Sequence, residues 1–211
     1  MNIEPLRKEY KRSELRDDTV DPDPFKQFRN WFEEALRADI DEANAITLAT
    51  ADGQGRPSAR IVLLKSFDKK GFTFFTNYEG RKSRDLKDNP QAALLMFWKE
   101  LERQVRIEGR VERVSGKESD NYFDSRSLES RISAAVSPQS YEIPSRRYLE
   151  ELWVSKLKEL KENKLFRPEH WGGYRLIPDR IEFWQGRPNR LHDRILYLKK
   201  GAKWVVSRLA P

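Results

Sequence analysis

The stretch QVRIEGRVERV, from Gln104 to Val114, alternates apolar and charged residues with a period of two. Successive side chains of a β-strand point to opposite faces of the sheet, so the two kinds of residue are separated. The apolar face comprises Val105, Ile107, Gly109 and Val111, and the charged face comprises Arg106, Glu108, Arg110 and Glu112. The pattern predicts a strand with one face in a core and the other towards water.

Further short apolar runs, bounded by turn residues, lie on both sides of this strand. They are Ala45 to Thr50, Ser58 to Phe67, Phe72 to Asn77, Ala92 to Trp98, Tyr174 to Trp184, and Arg194 to Val206 with a break at Gly201. Asp68 to Gly71 predicts a hairpin turn between the second and third runs. Tight turns leave no room for crossover helices, so we predict an antiparallel sheet in a mainly β (α+β) fold. The sheet is expected to close into a small barrel with helices outside.

Helical signals lie before and within this series of strands. Asp23-Pro24 is typical of an N-cap followed by proline, and it predicts a helix ending near Arg37. Further helices are predicted over 117–125, 128–136 and 145–163. Residues 1–20 alternate charges with few apolar anchors, so a mobile N-terminal arm is expected, followed by a single domain over 21–211.

Composition excludes several classes of protein. The chain has 211 residues, no cysteine and only two histidines, which argues against disulfides, thiolate chemistry and a metal site. No run approaches the length of a membrane span, and the N-terminus lacks a secretory apolar region. A soluble cytoplasmic protein is therefore expected. The 41 basic residues against 34 acidic ones favour an anionic partner, either nucleic acid or a small phosphorylated ligand.

Two clusters of cations flank predicted strands. In Arg60-Ile-Val-Leu-Leu-Lys65 the two cations are five positions apart, which predicts opposite faces of a strand. In Thr76-Asn-Tyr-Glu-Gly-Arg81-Lys82 two cations open a helix, where free N–H groups also attract anions. The second arrangement suits a phosphate. The first, taken alone, is better explained by solvated strand ends.

Two more clusters carry polar side chains at informative spacing. Tyr122, Arg126 and Ser130 lie four positions apart, along one side of a helix or of two nearly collinear helices. They could form a second phosphate site or simply a polar outer face. In the last cluster His192 stands among arginines directly after an aromatic strand that ends at Trp184. Cations beside an aromatic wall suit a planar anionic ligand, although a lone histidine is more often structural.

Together these motifs resemble the pyridoxine (pyridoxamine) 5′-phosphate oxidase family. The resemblance extends from about Leu6 to the C-terminal Arg-Leu-Ala-Pro, and it is most specific in Phe-Trp-Gln-Gly followed by Asn-Arg-Leu-His-Asp-Arg. It implies an FMN-binding split β-barrel, a homodimer with two flavins at the subunit interface, and no nucleic acid or membrane partner. The activity implied is oxidation of pyridoxine 5′-phosphate or pyridoxamine 5′-phosphate to pyridoxal 5′-phosphate, with dioxygen consumed and hydrogen peroxide formed.

The resemblance also implies roles for individual residues, some of them acting across the subunit interface. The expected FMN contacts are Arg60, Ile61, Val62, Leu63, Leu64, Lys65, Phe75, Thr76, Arg81, Lys82, Gln104, Gln139, Ser140, Trp184 and Arg194. The expected substrate contacts are Arg7, Tyr10, Lys65, Tyr122, Arg126, Ser130, Arg190, Leu191 and His192. Arg190 and His192 are the expected catalytic residues against the pyridine ring, with His192 taking or steering a proton.

The sequence departs from the family near the expected substrate phosphate. Many relatives have proline and glycine where this chain has Ser127 and Ser133. Three other interpretations stay open: a split-barrel flavoprotein that reduces another substrate with a nicotinamide donor, a non-catalytic pyridoxal 5′-phosphate carrier, and a nucleic-acid-binding module. The last ranks lowest, because the aromatic residues alternate into strand cores instead of forming an exposed stacking surface.

Overall fold

The computed structural model describes residues 1, 3, 9–160 and 165–211. The helices are α1 (Pro24–Arg37), α2 (Arg81–Asp88), α3 (Gly116–Asp124), α4 (Leu128–Val136) and α5 (Arg146–Glu159). The strands are β1 (Ala45–Ala51), β2 (Pro57–Leu63), β3 (Ser66–Asp68), β4 (Gly71–Asn77), β5 (Gln91–Trp98), β6 (Arg103–Arg113), β7 (Trp171–Gln185), β8 (Asp193–Lys200) and β9 (Lys203–Arg208). Short 3₁₀ turns lie at Lys99–Leu101 and Pro188–Arg190.

The strands form one antiparallel sheet in the order β2-β1-β5-β6-β7-β4-β3, with β8 and β9 continuing from β7. The segment between β2 and β3 joins the two ends of this order. There the Leu64 N–H donates to the Asn44 carbonyl at 2.9 Å, and the Lys65 N–H donates to the Thr73 carbonyl at 2.9 Å. These bonds curl the sheet into a half barrel, so the predicted antiparallel barrel-like fold is confirmed.

Strand β7 is the longest element of the sheet. It pairs with β6 from Tyr174 to Gln185, while its other edge pairs first with β4, from Trp171 to Leu176, and then with β8, from Arg180 to Gln185. A shift of register at Glu108/Gly109 in β6 separates these two halves, opposite Pro178. One strand therefore takes part in both the curled body of the sheet and the C-terminal hairpin.

The core lies inside the curl and is covered by α1. Asp23 caps this helix by accepting from the Phe25 N–H at 2.9 Å, as the sequence predicted. Phe28 then packs edge-on against Phe72, with ring centroids 5.0 Å apart. The period-two pattern in β6 is also confirmed, because Val105, Ile107 and Val111 are buried in this core. A second, smaller cluster, built on Phe123, Ile132 and Trp171, fixes α3 and α4 against the start of β7.

Two sequence predictions need correction. The run from Ser58 to Phe67 is not one strand, because β2 ends at Leu63 and β3 begins at Ser66. The Leu64 side chain turns into the core, at 4% exposure, while the Lys65 N–H pairs with β4. The last predicted helix is also shorter than expected: α5 ends at Glu159, and residues 161–164 lie outside the described part of the chain.

The described part of the N-terminal arm contacts the domain. The N–H groups of Lys11 and Arg12 donate to Glu102 Oε2 at 2.9 and 3.0 Å, and the Leu15 N–H donates to Asp193 Oδ2 at 3.0 Å. The Leu15 side chain is 5% exposed within the core. These contacts fix the arm from residue 11 onward in this arrangement. That the arm moves stays a prediction, as does the division at residue 20.

The two hairpin glycines predict different losses of stability. Gly71 has φ of 141°, and a Cβ there would lie 2.1 Å from the Leu176 carbonyl oxygen. Gly201 has φ of 60° with nothing within 4 Å of such a Cβ. We expect Gly201→Ala to lower the free energy of unfolding by about 1 kcal/mol, the cost of a left-handed alanine. Gly71→Ala should lower it by about 3 kcal/mol or more, since a backbone clash adds to the strain.

Urea denaturation of both variants beside the parent measures this difference. Equal losses for the two variants would contradict the close approach of β4 to β7.

Candidate functional site

A cleft of about 610 Å³ opens between β2, the end of β4, and helices α3 and α4. Its size lies in the range of small-molecule binding sites. Twelve of the predicted site residues line it: Arg60, Ile61, Val62, Leu63, Lys65, Phe75, Thr76, Lys82, Tyr122, Arg126, Ser130 and Gln139. The structure thus brings residues from three of the four sequence clusters together at one place.

Lys82 forms a buried cationic end of this cleft. It is the second residue of α2 and is 8% exposed. Its Nζ donates to Thr76 Oγ1 at 3.0 Å and to Gln139 Oε1 at 2.6 Å, both of them neutral acceptors. Burial, together with the nearby charge of Arg60, lowers the pKa of Lys82 to about 8. An anion beside this amine would offset the cost of burying its charge.

Arg60 stands beside Lys82 and is held by a buried polar network. Its Nη1 donates to Thr50 Oγ1 at 2.6 Å, and its Nη2 lies 3.6 Å from Asp85 Oδ2. Thr50 in turn donates to Asp85 at 2.6 Å. Burial lowers the pKa of Arg60, and Asp85 opposes that shift. Because Asp85 neutralises only one of the two cations, this end of the cleft keeps a net positive charge.

Arg60 and Lys65 line the same cleft, so the prediction that they point to opposite faces is wrong. That prediction assumed an unbroken strand. The chain leaves β2 after Leu63, and Leu64 turns into the core, which places Lys65 next to α3. Lys65 Nζ lies 6.0 Å from the centre of the Tyr122 ring.

Stacked aromatic rings form a wall of the cleft. The rings of Phe75 and Tyr122 stack with centroids 3.9 Å apart, and Trp171 lies parallel to Tyr122 at 6.1 Å. The guanidinium carbon of Arg126 lies 4.7 Å from the centre of the Trp171 ring. A flat apolar surface next to a guanidinium suits a planar, anionic ligand.

Arg126 has hydrogen-bonding capacity left over. Its Nη1 is buried and has no hydrogen-bond partner within the described chain. Burial also lowers the pKa of Arg126. Tyr122 lies on α3 and Ser130 on α4, on either side of the break at residues 125–127, and both line the cleft with Arg126. A donor without a partner at a cleft wall is suited to bind an anion.

The remaining cluster lies elsewhere on the chain. Gln104 pairs with Trp184 at the far end of β6 and β7, and the Trp184 and His192 rings are 4.7 Å apart. Tyr10 joins them, 5.6 Å from Trp184. Trp184 lies thirteen positions along β7 from Trp171 in the cleft, a distance of roughly 40 Å along an extended strand. One copy of the chain therefore carries two groups of predicted site residues at opposite ends of β7.

His192 is held as one tautomer. Its Nδ1 accepts from the Arg187 main-chain N–H at 3.1 Å, so in the neutral ring the proton is on Nε2. Burial and the charge of Arg190 lower the pKa of His192, while Asp193 opposes the shift. His192 can therefore donate a hydrogen bond from Nε2. With Nδ1 occupied, it is poorly arranged to accept a proton.

Arg190 and Arg194 flank His192 in different ways. Arg194 donates from Nε and Nη2 to the buried carboxylate of Glu182, at 2.8 and 3.1 Å, and this bonding raises the pKa of Arg194. Arg190 is exposed and has φ of 61°, directly after Asn189 with φ of 56°. Two successive left-handed residues without glycine are unusual, and such backbone strain concentrates at functional sites.

Several predicted contacts do not line the cleft in this chain. The Arg81 side chain is exposed, Ser140 lies in a turn with φ of 70°, and the Leu64 side chain is buried in the core. Gln104, Trp184, Arg194, Tyr10, Arg190, Leu191 and His192 belong to the distant group, and Arg7 lies outside the described residues. The roles of all these residues stay predictions.

Four cleft residues were absent from the sequence prediction: Asn77, Ser125, Ser127 and Trp171. Trp171 was missed because Gly172 and Gly173 interrupt the strand pattern, although β7 begins there. The Asn77 carbonyl accepts from the Ser83 hydroxyl at 2.7 Å, which ties the end of β4 to α2. Ser125 and Ser127 flank Arg126 in the chain. Only Ser127 stood out in the sequence as a difference from the family pattern, and that difference was the available signal.

Comparison with known proteins identifies the class. Residues 32–151 match the model of the pyridoxamine 5′-phosphate oxidase family, and residues 171–211 match the pyridoxine 5′-phosphate oxidase C-terminal dimerisation region. The chain is 56% identical over 207 residues to the pyridoxine/pyridoxamine 5′-phosphate oxidase of Cupriavidus necator, covering 98% of this chain and 97% of that protein. Over 210 residues it is 57% identical to the protein of the same name from Polynucleobacter asymbioticus, covering 100% and 99%.

Solved structures agree on the fold. PhzG from Burkholderia lata 383, in complex with tetrahydrophenazine-1-carboxylic acid, superposes with a TM-score of 0.88 at 32% identity, covering 93% of this chain and 98% of that one. A pyridoxamine 5′-phosphate oxidase-related, FMN-binding protein from Nostoc punctiforme has a TM-score of 0.73 at 16% identity, covering 91% and 100%, and it shows the fold alone. The chain belongs to the pyridoxine/pyridoxamine 5′-phosphate oxidase family, which is a family of oxidoreductases.

The hydrogen bond to His192 Nδ1 makes a spectroscopic prediction. With ¹⁵N-labelled histidine, two-bond ¹⁵N–¹H correlations should show His192 as the Nε2–H tautomer with a pKa below the ordinary value of about 6.5. Arg190→Met should raise that pKa, because it removes a neighbouring cation.

His170 is the only other histidine of the chain, so His170→Gln assigns the signals. An Nδ1–H tautomer, or a pKa above the ordinary value, would disprove the arrangement.

Proposed function

We propose that this protein is an FMN-dependent oxidase that converts pyridoxine 5′-phosphate and pyridoxamine 5′-phosphate to pyridoxal 5′-phosphate in the biosynthesis and salvage of vitamin B6. The observation that carries the proposal is a single cleft with two cationic ends and an aromatic wall. Lys82 and Arg60 form one end, and Arg126 forms the other beside the stacked rings. Two phosphorylated, planar ligands need this combination. Family membership supports the same conclusion, and the cytoplasm is the proposed location.

The Lys82 end suits the FMN phosphate. Lys82, Arg60 and Thr76 supply charge and donors there, and Gln139 contacts the same amine. The low pKa of Lys82 indicates a buried cation that a phosphate dianion would stabilise. When bound, FMN supplies the redox chemistry, accepting a hydride from the substrate carbon that bears the alcohol or amine, with dioxygen as final acceptor and hydrogen peroxide as product.

The Arg126 end suits the substrate phosphate. Lys65, Tyr122, Arg126 and Ser130 surround it, and the unpartnered Nη1 of Arg126 has a donor to offer. The chain's task in catalysis is to position the substrate ring and to exclude water. We assign Arg190 and His192 to the pyridine ring, with His192 donating from Nε2 instead of acting as a base.

The separation of the two residue groups supports a homodimer with shared sites. The cleft at one end of β7 lacks Trp184, Arg190, His192 and Arg194, which lie at the other end. A second copy of the chain can supply them. The match of residues 171–211 to a dimerisation region agrees with this arrangement, because that segment contains the whole distant group except Tyr10 and Gln104.

Two other functions make different predictions for the cleft. A pyridoxal 5′-phosphate carrier would keep the phosphate contacts but form no aldehyde. The PhzG structure, with its bound tricyclic carboxylic acid, favours as a second candidate a split-barrel flavoprotein that acts on an aromatic carboxylate. That candidate does not require the Arg126 end to select phosphate over carboxylate.

Steady-state kinetics test the proposed roles. Arg190→Met should raise KM about 30-fold, the loss of roughly 2 kcal/mol from a desolvated cation, and should also lower kcat because the ring is less well positioned. Arg126→Met should act mainly on KM, since a phosphate contact away from the reacting carbon stabilises ground and transition states alike. Pyridoxal 5′-phosphate formation is measured with FMN and oxygen present.

The controls are the FMN content and the dimer fraction, and both quantities should equal the parental values in each variant. Arg190→Met with parental kinetics and Arg126→Met inactive at saturating substrate would mean that the two roles are reversed. A parent protein that binds FMN and forms no aldehyde would favour the carrier.

The pH dependence of FMN affinity tests the Lys82 end. Bound phosphate requires Lys82 to be protonated, so above its pKa of about 8 binding must take up a proton. The dissociation constant should therefore rise roughly fivefold between pH 8 and pH 9 and stay nearly constant from pH 7 to 7.5, where phosphate is already ionised. Quenching of FMN fluorescence by the apoprotein measures it.

Lys82→Met is the matched control for this experiment. It should bind FMN weakly at every pH and lose the dependence above pH 8. A variant that retains the same pH dependence would show that another group titrates.

Mixed dimers test the shared site. Lys82→Met damages the cleft and Arg190→Met damages the distant group, so refolding the two impaired chains together should add about a quarter of the parental activity to what the separate variants retain. Random assortment makes about half of the dimers mixed, and each mixed dimer has one site with both groups intact. If each site belonged to one chain, the mixture would regain nothing.

A further inference from the structure

Ser127 connects the substrate end of the cleft to the start of α4. Its hydroxyl oxygen accepts from the Ser130 N–H at 3.3 Å and so caps the helix. The same hydroxyl donates to Ser130 Oγ at 3.1 Å. Both serines line the cleft, with Arg126 directly before Ser127 in the chain.

The donors and acceptors of these two hydroxyls determine their directions. A serine hydroxyl has one hydrogen and two lone pairs. The Ser130 N–H occupies one lone pair of the Ser127 oxygen, and the bond to Ser130 Oγ at 3.1 Å uses the one hydrogen of Ser127. Ser130 Oγ therefore accepts at that side, and its own hydrogen is left to donate into the cleft. An anion at the Arg126 end requires donors of this kind.

We infer that Ser127 is a positioning residue that orients the Ser130 hydroxyl as a donor to the substrate phosphate. The inference rests on the proposed function, since it needs a phosphate at the Arg126 end. Ser127 acts through Ser130 and takes no part in the reaction at the substrate carbon. Its removal should therefore weaken substrate binding and leave turnover unchanged.

The experiment measures KM and kcat for pyridoxine 5′-phosphate with the FMN-loaded dimer. Ser127→Ala should raise KM about fivefold, the effect of one modest hydrogen bond, with kcat unchanged. Ser127→Thr keeps both the cap and the hydroxyl hydrogen and should restore the parental KM. Ser115→Ala is the matched control, because Ser115 caps α3 through the Glu118 N–H at 3.1 Å and lies outside the cleft lining.

Loss of either cap should lower thermal stability by a similar amount, but only Ser127→Ala should change KM. A KM for Ser115→Ala that rises as much as that of Ser127→Ala would assign the effect to helix stability and overturn the inference.

A double-mutant cycle decides whether Ser127 acts through Ser130. In a Ser130→Ala background, Ser127→Ala should raise KM by less than about twofold, because the hydroxyl that it orients is gone. If the effects of the two substitutions on KM were fully additive, Ser127 would contact the substrate independently, and the inference would be overturned. It would also be overturned if Ser130→Ala raised KM and Ser127→Ala left KM at the parental value. If Ser130→Ala has no effect, or the parent forms no aldehyde, the proposed phosphate site fails and the inference fails with it.

Discussion

The pairing of β7 with β6 is the constraint on which the rest of the structure depends. β6 occupies one edge of β7 from Tyr174 to Gln185, and the other edge is divided between β4 and β8. The division places the aromatic wall at the first end of β7 and the Trp184–His192 group at the last. A rigid strand cannot bring its own ends together. Any site that needs both groups therefore has to draw them from two copies of the chain.

The cleft is built around positive charge that the protein alone does not neutralise. Lys82 is buried against neutral oxygens, and Arg126 retains a buried nitrogen without a partner in the described chain. Burying such groups costs free energy unless a counter-charge arrives. The stacked rings of Phe75 and Tyr122 line the same cleft as these cations. A site of this kind lowers the folding stability of the protein without its ligand, as is expected where a protein must bind anions tightly.

The sequence predicted the features that depend on local periodicity and on caps. The strand β6, the Asp23 cap of α1 and the helix beginning at Arg81 all lie where their patterns placed them. It could not predict the break at Leu64 and Lys65, because no glycine or proline marks it. That break exists because Leu64 fills the core and Lys65 pairs with β4, and both interactions involve residues distant in the chain.

The candidate site likewise contains residues that the sequence could predict and residues that it could not. Spacing alone grouped Tyr122, Arg126 and Ser130, since neighbours on helices follow from the sequence. The opposite placement of Arg60 and Lys65 was wrong, and the absence of Trp171 was an omission, because each depends on where the strands begin and end.

The tautomer of His192 depends on one main-chain N–H, that of Arg187, five residues earlier. A donor at Nε2 can orient a ring but cannot remove a proton, so proton transfer does not have to be assigned to the imidazole. Under the proposed function, the chain's own contribution is to hold the substrate ring in place, a role that two groups of cations and an aromatic wall can fulfil.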